Sequence, residues 1–447
     1  MVLLAACVGA SFAGSTYLIA ALVQPEAIWG GRTASFAVLF AVLGVTTVWA
    51  LGLFSVRQRA GFTGKSLRTM AGALIAGLLG YLLSRITSIG EIAGQTITLV
   101  TLAGALLGSL VVLVIGKLID EEVFRRRVLV YGAGMRALSL MSLRRRTDQT
   151  GFRLLGFVPL QDEDVEVPPE RLVNASGALL ETVRSLEIDE IVVAMDDRRR
   201  NFPIAELLQC RLGGVEITDI VSFLERETGK VHLDVLNPSW LIFGEGFRRD
   251  TFRRVEERLF DVLTSSLLLV VTSPVLLLTA LAIWLESGFR GPILYRQVRV
   301  GYANRNFQVI KFRSMRVDAE KNGAVWATAG DTRVTRVGSL IRKLRIDELP
   351  QIVNVLKGDM SFVGPRPERP EFVAQLAESI PYYSERHWVK PGITGWAQLC
   401  YPYGASERDA VEKLQYDLYY VKNHSLLFDL MILLQTVEVV LLGKGGR

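Results

Sequence analysis

Two adjacent carboxylates, Asp347 and Glu348, stand in a cationic stretch of the chain. Lys311 and Arg313 lie upstream in Lys311-Phe312-Arg313-Ser314-Met315, and Arg342 precedes Asp347 by five residues. Arg366 follows in Gly364-Pro365-Arg366-Pro367. Arginine's planar fork matches phosphate oxygens two at a time. Mg2+ is commonly held by one or two carboxylates together with substrate phosphates. A carboxylate among cations stays ionised at neutral pH. It can then serve as a ligand, or as a nucleophile that splits a transfer into two steps through an acyl-phosphate.

The local pattern also has a plainer reading. Leu349, Ile352, Val353, Val355 and Leu356 have helical spacing, and Lys357-Gly358 ends the run with glycine just past the last turn. Pro350 fits only the first turn of such a helix. Asp347 is therefore expected near the N-cap and Glu348 in the first turn, a stabilising arrangement worth about 1 kcal/mol with no chemistry attached. The surrounding cations favour a phosphate and metal site instead, because a helix N-terminus also attracts anions. Neighbouring residues on a helix point about 100° apart. The two carboxylates then do different jobs, one attacking and one holding metal.

The rest of the chain must hold this stretch at a surface. The chain has 447 residues, half of them hydrophobic, and a net charge of +6; mean hydropathy is +0.31. Such a basic, apolar chain points to an anionic membrane surface or phosphorylated substrates, and not to nucleic acid. Cys7, Cys210 and Cys400 form no CxxC pair, and His232, His387 and His424 have no zinc spacing. Apolar runs at about 2–23, 34–56, 67–84 and 97–119 each approach the roughly 20 residues that cross a bilayer. The first has no basic n-region, which favours a span over a cleavable signal peptide and leaves the true start open. Arg57, Arg59, Lys65 and Arg68 follow the second run, and Arg125, Arg126 and Arg127 follow the fourth. The positive-inside rule puts those segments, and everything after 120, in the cytoplasm.

Three regions are expected: a four-helix transmembrane region over 1–120, a Rossmann-like α/β domain over 121–250 and a mostly α catalytic domain over 251–447. In the middle region a strand, Arg127–Tyr131, runs into Gly132-Ala133-Gly134-Met135-Arg136-Ala137, the G-x-G-x-x-A turn of dinucleotide sites. Strands are expected at 153–158, 189–195 and 214–217, with helices at 176–187 and 203–212. No acidic residue closes the second strand, so the turn reads as structural or regulatory rather than as a cofactor site. The run 261–285 is interrupted at Ser273-Pro274, where proline removes a helix hydrogen bond. Arg248, Arg249, Arg253, Arg254 and Arg258 before it, and the basic chain after it, favour a re-entrant helix that returns to the cytoplasmic leaflet, with a fifth crossing as the rival. Leu426–Leu442 reads as an amphipathic helix lying on the membrane or on the catalytic core.

The stretches 311–315, 347–351, 364–367 and Lys390-Pro391-Gly392-Ile393-Thr394-Gly395-Trp396 together resemble the bacterial sugar transferase family, the monotopic polyprenyl-phosphate phosphoglycosyl transferases. The likeness covers about 250–447, and the layout is similar to the long enzymes that initiate exopolysaccharide and O-antigen synthesis. His232–Phe243 and Tyr401–Ser406 resemble the exopolysaccharide branch associated with PEP-CTERM systems. The resemblance implies transfer of a sugar-1-phosphate from a UDP-sugar to undecaprenyl phosphate, with release of UMP. It implies Asp347 as nucleophile, Glu348 as Mg2+ ligand, Arg342 as a phosphate-binding residue and Ser273-Pro274 as the break in the membrane helix. Lys311, Arg313 and Arg366 match its motif positions, and their phosphate-binding role is read from charge. The inner membrane is the implied location, and the layout allows a homodimer. The rival from another class is a membrane-tethered regulator that binds a nucleotide at the 132–137 turn.

Overall fold

The computed structural model describes residues 2–23, 31–53, 62–87, 94–118, 125–141, 143, 151–160, 163–173, 179–196, 202–236, 246, 251–317, 333–401, 404 and 406–441. Arg57, Arg59, Arg248, Arg249 and 237–243 lie outside the described residues. The chain divides into two compact units, Met1–Asn237 and Pro238–Arg447.

The first unit opens with four long helices of apolar sequence, α1 (Val2–Val23), α2 (Gly31–Ala50), α3 (Phe62–Thr87) and α4 (Gly94–Leu118). Their inward faces meet at Phe12, Phe36 and Phe40, all fully buried. Phe12 and Phe40 pack edge to face at 5.4 Å between centroids. Glycine makes this possible: a Cβ on Gly44 would come within 2.3 Å of the Phe12 ring, and one on Gly104 within 2.9 Å of Phe40. Small residues at helix contacts are how apolar helices pack where lipid removes the hydrophobic driving force. The outward faces are apolar too, with Leu74, Leu78, Leu102 and Leu106 exposed. Helices apolar all round belong in a membrane. Segments of α1, α3 and α4 are long and apolar enough to cross one, and the apolar part of α2, Thr33–Trp49, is shorter.

The same unit continues into a parallel sheet of β1 (Arg126–Tyr131), β2 (Phe152–Val158), β3 (Glu190–Val193) and β4 (Glu216–Asp219), in the order β2-β1-β3-β4. Helices α5 (Met135–Met141), α6 (Leu179–Ser185), α7 (Ile204–Leu212) and α8 (Ile220–Thr228) accompany it. The expected alternation is present; the fourth strand falls two residues later than its apolar residues suggested, and α8 carried no clear sequence signal. The glycine turn between β1 and α5 is filled from within. Asp196 accepts from the Met135 and Arg136 amides, both at 2.9 Å. Glu163 accepts from Ala133 N at 2.8 Å and Asp196 N at 3.1 Å. Two carboxylates thus occupy the place a nucleotide phosphate takes at such a turn.

In the second unit α9 (Thr251–Glu286) is a single helix of 36 residues. The expected surface helix and the expected membrane run are one element. It continues through Ser273 and Pro274, where a break was expected. Pro274 has no N–H for Val270 O, and Ser273 Oγ donates to that carbonyl instead, at 2.8 Å. An antiparallel hairpin follows, β5 (Leu294–Val300) with β6 (Asn306–Phe312). Then come α10 (Arg336–Lys343), a 3-10 segment Ile346–Gln351, α11 (Ile352–Lys357), β7 (Ser361–Val363), α12 (Pro370–Ser379), β8 (Gly392–Thr394), α13 (Trp396–Cys400), α14 (Glu407–Asn423) and α15 (Leu426–Leu441). The unit is mostly helical, as expected.

Titration of the full chain with NAD should give no saturable binding, because the turn is already satisfied. Asp196→Ala should lower thermal stability by about 1 kcal/mol, the scale of a lost helix cap, read as a lower Tm.

Candidate active site

The chain reaches Asp347 through a sharp reversal. Thr335 caps α10 by accepting from Gly338 N at 2.9 Å. Gly338 is pressed so close to Ser314 O that a Cβ would sit 2.0 Å from it. Helix α10 stops at Leu344, and Arg345 adopts a left-handed conformation at φ 59°. A non-glycine residue there costs on the order of 1 kcal/mol and commonly marks a functional site. The 3-10 segment carrying Asp347 and Glu348 begins at that point, with Arg345 at its N-cap.

This corrects the expected helix start. Asp347 does not cap α11, which begins only at Ile352. Pro350 sits inside the 3-10 turn, where its missing N–H is tolerated. Gly358 does end α11 in the left-handed conformation, at φ 91°, as its position in the sequence indicated.

The two carboxylates have opposite surroundings. Glu348 is buried, and its Oε1 accepts from Arg366 Nη2 at 2.8 Å and Lys311 Nζ at 3.4 Å. Its Oε2 faces Arg345 Nη1 at 3.7 Å. Burial alone would push the Glu348 carboxyl up, but Arg366, Lys311 and Arg345 overrule it and hold the group well below the usual carboxylate range. Asp347 is half-buried, and among the described residues its carboxylate accepts no hydrogen bond. Burial, and then repulsion from Glu348, push its pKa up, against the pull of Lys311, Arg342 and Arg345. Burial pushes the Lys311 ammonium down, while Glu348 opposes that shift.

Neutral side chains and backbone set these distances. Asn354 on α11, 1% exposed, accepts from Ile310 N at 3.0 Å and donates to Gln308 O at 2.7 Å. It fastens α11 to β6 and so brings Lys311 to Glu348. Arg386 holds the Arg366 loop by donating to Arg366 O at 3.0 Å, and Arg299 donates to Pro367 O at 3.2 Å. Beneath that loop β7 and β8 run parallel. Gly364 N donates to Thr394 O at 2.9 Å and Gly392 N to Pro365 O at 3.0 Å. A Cβ on Gly392 would lie 2.1 Å from Gly364 N, and one on Gly395 2.2 Å from Gly364 O. The glycines of the two motifs are there because the backbones touch.

Of the residues singled out from sequence, Lys311, Arg342 and Arg366 gather around Asp347 and Glu348. Arg313 does not join them: its guanidinium lies against Gly291, where a Cβ would meet Nη1 at 2.5 Å. Ser273 and Pro274 lie within α9. Sequence reasoning missed Arg345, Asn354, Arg299 and Arg386. A non-glycine left-handed residue has no sequence signature, and nothing in the local pattern separates Arg386 from the other cations.

Among the described residues no three acidic, histidine or cysteine side chains cluster. A site for a hard cation therefore rests on Asp347 and on Glu348 Oε2, the oxygen without a close hydrogen bond. One or two carboxylates completed by substrate phosphate and water is what Mg2+ commonly takes, so the donor set fits that ion.

The model of the bacterial sugar transferase family matches residues 252–443, which contain this whole site. The glucose-1-phosphate transferase acting between UDP-glucose and undecaprenyl phosphate in Klebsiella pneumoniae is 34% identical over 336 residues, 72% of this chain and 69% of that protein. The chain belongs to the bacterial sugar transferase family. An N-acetylgalactosaminephosphotransferase of Aeromonas hydrophila, named for UDP-N-acetylgalactosamine and undecaprenyl phosphate, is 45% identical over 241 residues, covering 54% of this chain and 56% of that one. The undecaprenyl-phosphate glucose phosphotransferase of Komagataeibacter xylinus is 35% identical over 321 residues, covering 70% and 58%. The chain thus spans little more than half the length of the last two relatives.

Two stability outcomes follow for this member of the family. Glu348→Ala should destabilise by about 1–2 kcal/mol in denaturant melts, the buried-pair cost discounted because Arg345 and Arg366 keep contact with solvent. Asp347→Asn should raise Tm at neutral pH, since an ionised carboxylate with a raised pKa opposes folding there. That gain should vanish below the ordinary aspartate range, where Asp347 is protonated in both folded and unfolded chains.

Proposed function

We propose that the protein transfers a sugar-1-phosphate from a UDP-sugar to undecaprenyl phosphate and releases UMP, at the first membrane step of exopolysaccharide synthesis. The observation that carries this reading is the split environment of the carboxylate pair. Glu348 is held by three cations, and among the described residues Asp347 beside it accepts no hydrogen bond. An acceptor-only oxygen, partly desolvated and near cations that attract phosphate, is suited to attack phosphorus.

In this reading an Asp347 oxygen attacks the β-phosphorus, and the bond from that phosphorus to the oxygen bridging the two phosphates breaks. UMP leaves with that oxygen, and the sugar-phosphate stays on Asp347 as an acyl-phosphate. An oxygen of the lipid phosphate then attacks the same phosphorus and frees the Asp347 carboxylate. Arg342, Lys311 and Arg366 supply positive charge to the phosphate oxygens. Glu348 orients Lys311 and Arg366 and, with Asp347, would hold Mg2+, which when bound neutralises charge on the diphosphate. Arg313 is left outside this set.

Location follows from chemistry and charge. The lipid phosphate is a membrane-surface substrate and the nucleotide sugar a cytosolic one. The basic residues flanking the spans favour the inner membrane with the catalytic unit in the cytoplasm. Both ends of α9 dock on the catalytic unit, Arg258 on Val355 and Leu356 and Glu286 on Val337 N, while the middle from Leu267 to Leu278 is largely exposed. That arrangement favours the re-entrant course over a crossing. The exopolysaccharide branch linked to PEP-CTERM systems is part of the same proposal and rests on the likeness of 232–243 and 401–406; a homodimer is allowed by the layout alone.

In a membrane assay, UDP-sugar with undecaprenyl phosphate should release UMP only when Mg2+ is present. Asp347→Asn should abolish release, and full activity in that variant would sink the nucleophile assignment. Since the Asp347 pKa is raised, kcat/KM should fall on the acid side at a pH above the ordinary aspartate value of 3.8. Arg342→Gln removes a cation that favours the carboxylate and should move that limb to higher pH. A panel of UDP-sugars scored by UMP release identifies the sugar.

A further inference from the structure

We infer that one turn of the membrane helix, Glu257, Arg258 and Asp261 on α9, is a positioning clamp that sets the distance between Glu348 and Arg366. The inference rests on the phosphotransferase reading for its catalytic consequence and on the geometry alone for the clamp.

Three separate arms of the catalytic unit end on this turn. Arg258 donates from Nη1 to Val355 O at 2.7 Å and from Nη2 to Leu356 O at 2.5 Å. These are carbonyls in the last turn of α11, where a cation is favourable; Val355 O also accepts from Gly358 N at 3.0 Å. Asp261 is fully buried, and its Oδ1 accepts from Ser361 Oγ at 2.9 Å and from Phe362 N at 3.3 Å, both on β7. Lys390, just before β8, approaches Glu257 at 3.6 Å and Asp261 Oδ2 at 4.0 Å.

The arms are the ones that carry the site. Helix α11 continues directly from the 3-10 turn of Asp347 and Glu348. Strand β7 leads through Gly364 and Pro365 to Arg366. Strand β8 is the parallel partner that holds β7 in place. Glu348 and Arg366 meet at 2.8 Å. The turn between their two segments is tied to Asn354 O by the Gly358, Asp359 and Met360 amides, and α9 fastens the elements on either side of that turn as well.

A helix that served only as an anchor would not need these groups. Its exposed stripe, Phe252, Val255, Leu259, Leu263 and Leu267, already supplies apolar surface for lipid. A buried carboxylate is costly unless it is paired, and among the described residues Asp261 is paired with groups of β7 and with Lys390. The same helix therefore meets lipid on one face and fixes the catalytic pair with the other.

The test uses the full chain in lipid nanodiscs, with UMP release and hydrogen exchange read on the same samples. Asp261→Ala should lower kcat about 10- to 100-fold while KM for the UDP-sugar stays within about threefold, the signature of misplaced catalytic groups with binding intact. Asp261→Asn keeps an oxygen at the Oδ1 position and should recover most of the loss. Amide exchange over 361–366 should rise in Asp261→Ala and not in Asp261→Asn. Arg258→Lys keeps the charge but loses the two-pronged bond, and Ser361→Ala removes one donor; both should show smaller losses of the same kind if the alanine variant does not fold. Wild-type kcat together with wild-type exchange in Asp261→Ala, or in both milder variants, would overturn the clamp. Should the wild type release no UMP from any UDP-sugar, the reaction reading fails, and the exchange measurement still decides the clamp.

Discussion

The buried Glu348 carboxylate is the contact on which the catalytic unit depends. One oxygen takes Arg366 from the β7 loop and Lys311 from the hairpin, and the other faces Arg345 at the chain reversal. Three elements far apart in sequence converge on one side chain of low exposure. Without that charge they would hold three cations close together with nothing between them, which repulsion disfavours. The glycine contacts between β7 and β8, the Asn354 bridge and the Arg386 bond to Arg366 O all serve to bring cations to that carboxylate. Its neighbour Asp347 stands in contrast: it shares the burial and the positive field, and among the described residues it accepts none of the hydrogen bonds.

Much of this organisation was legible in the chain. The apolar runs marked the bundle helices, because a span is a matter of length and composition. The alternation of strands and helices marked the parallel sheet, and Gly358 marked the end of α11. The local reading failed at Asp347, where propensity and spacing suggested a capped α-helix. A left-handed Arg345 and a 3-10 turn stand there instead. Such a reversal is imposed by tertiary contacts and has no signature in residues free to adopt other conformations. Arg313 shows the complementary limit: charge and motif place it with Lys311, but it stands one residue past the end of β6 and its guanidinium lies against Gly291.

The 132–137 turn has the shape of a dinucleotide turn, and side chains of its own domain meet its amides. The backbone amides still point where a phosphate would sit, and Glu163 and Asp196 answer them. Neither acid stands out in the sequence. Their distance from the turn is short only in the folded sheet.

The hydroxyl of Ser273 has a consequence for the bilayer itself. A proline within a helix at membrane depth leaves a carbonyl that ordinarily draws a water molecule, and water in hydrocarbon is a path for protons and ions. Here the donor is built into the preceding residue, so Val270 O is satisfied without solvent. The proline of this apolar helix thus comes with its own donor, and that carbonyl needs none from outside the helix.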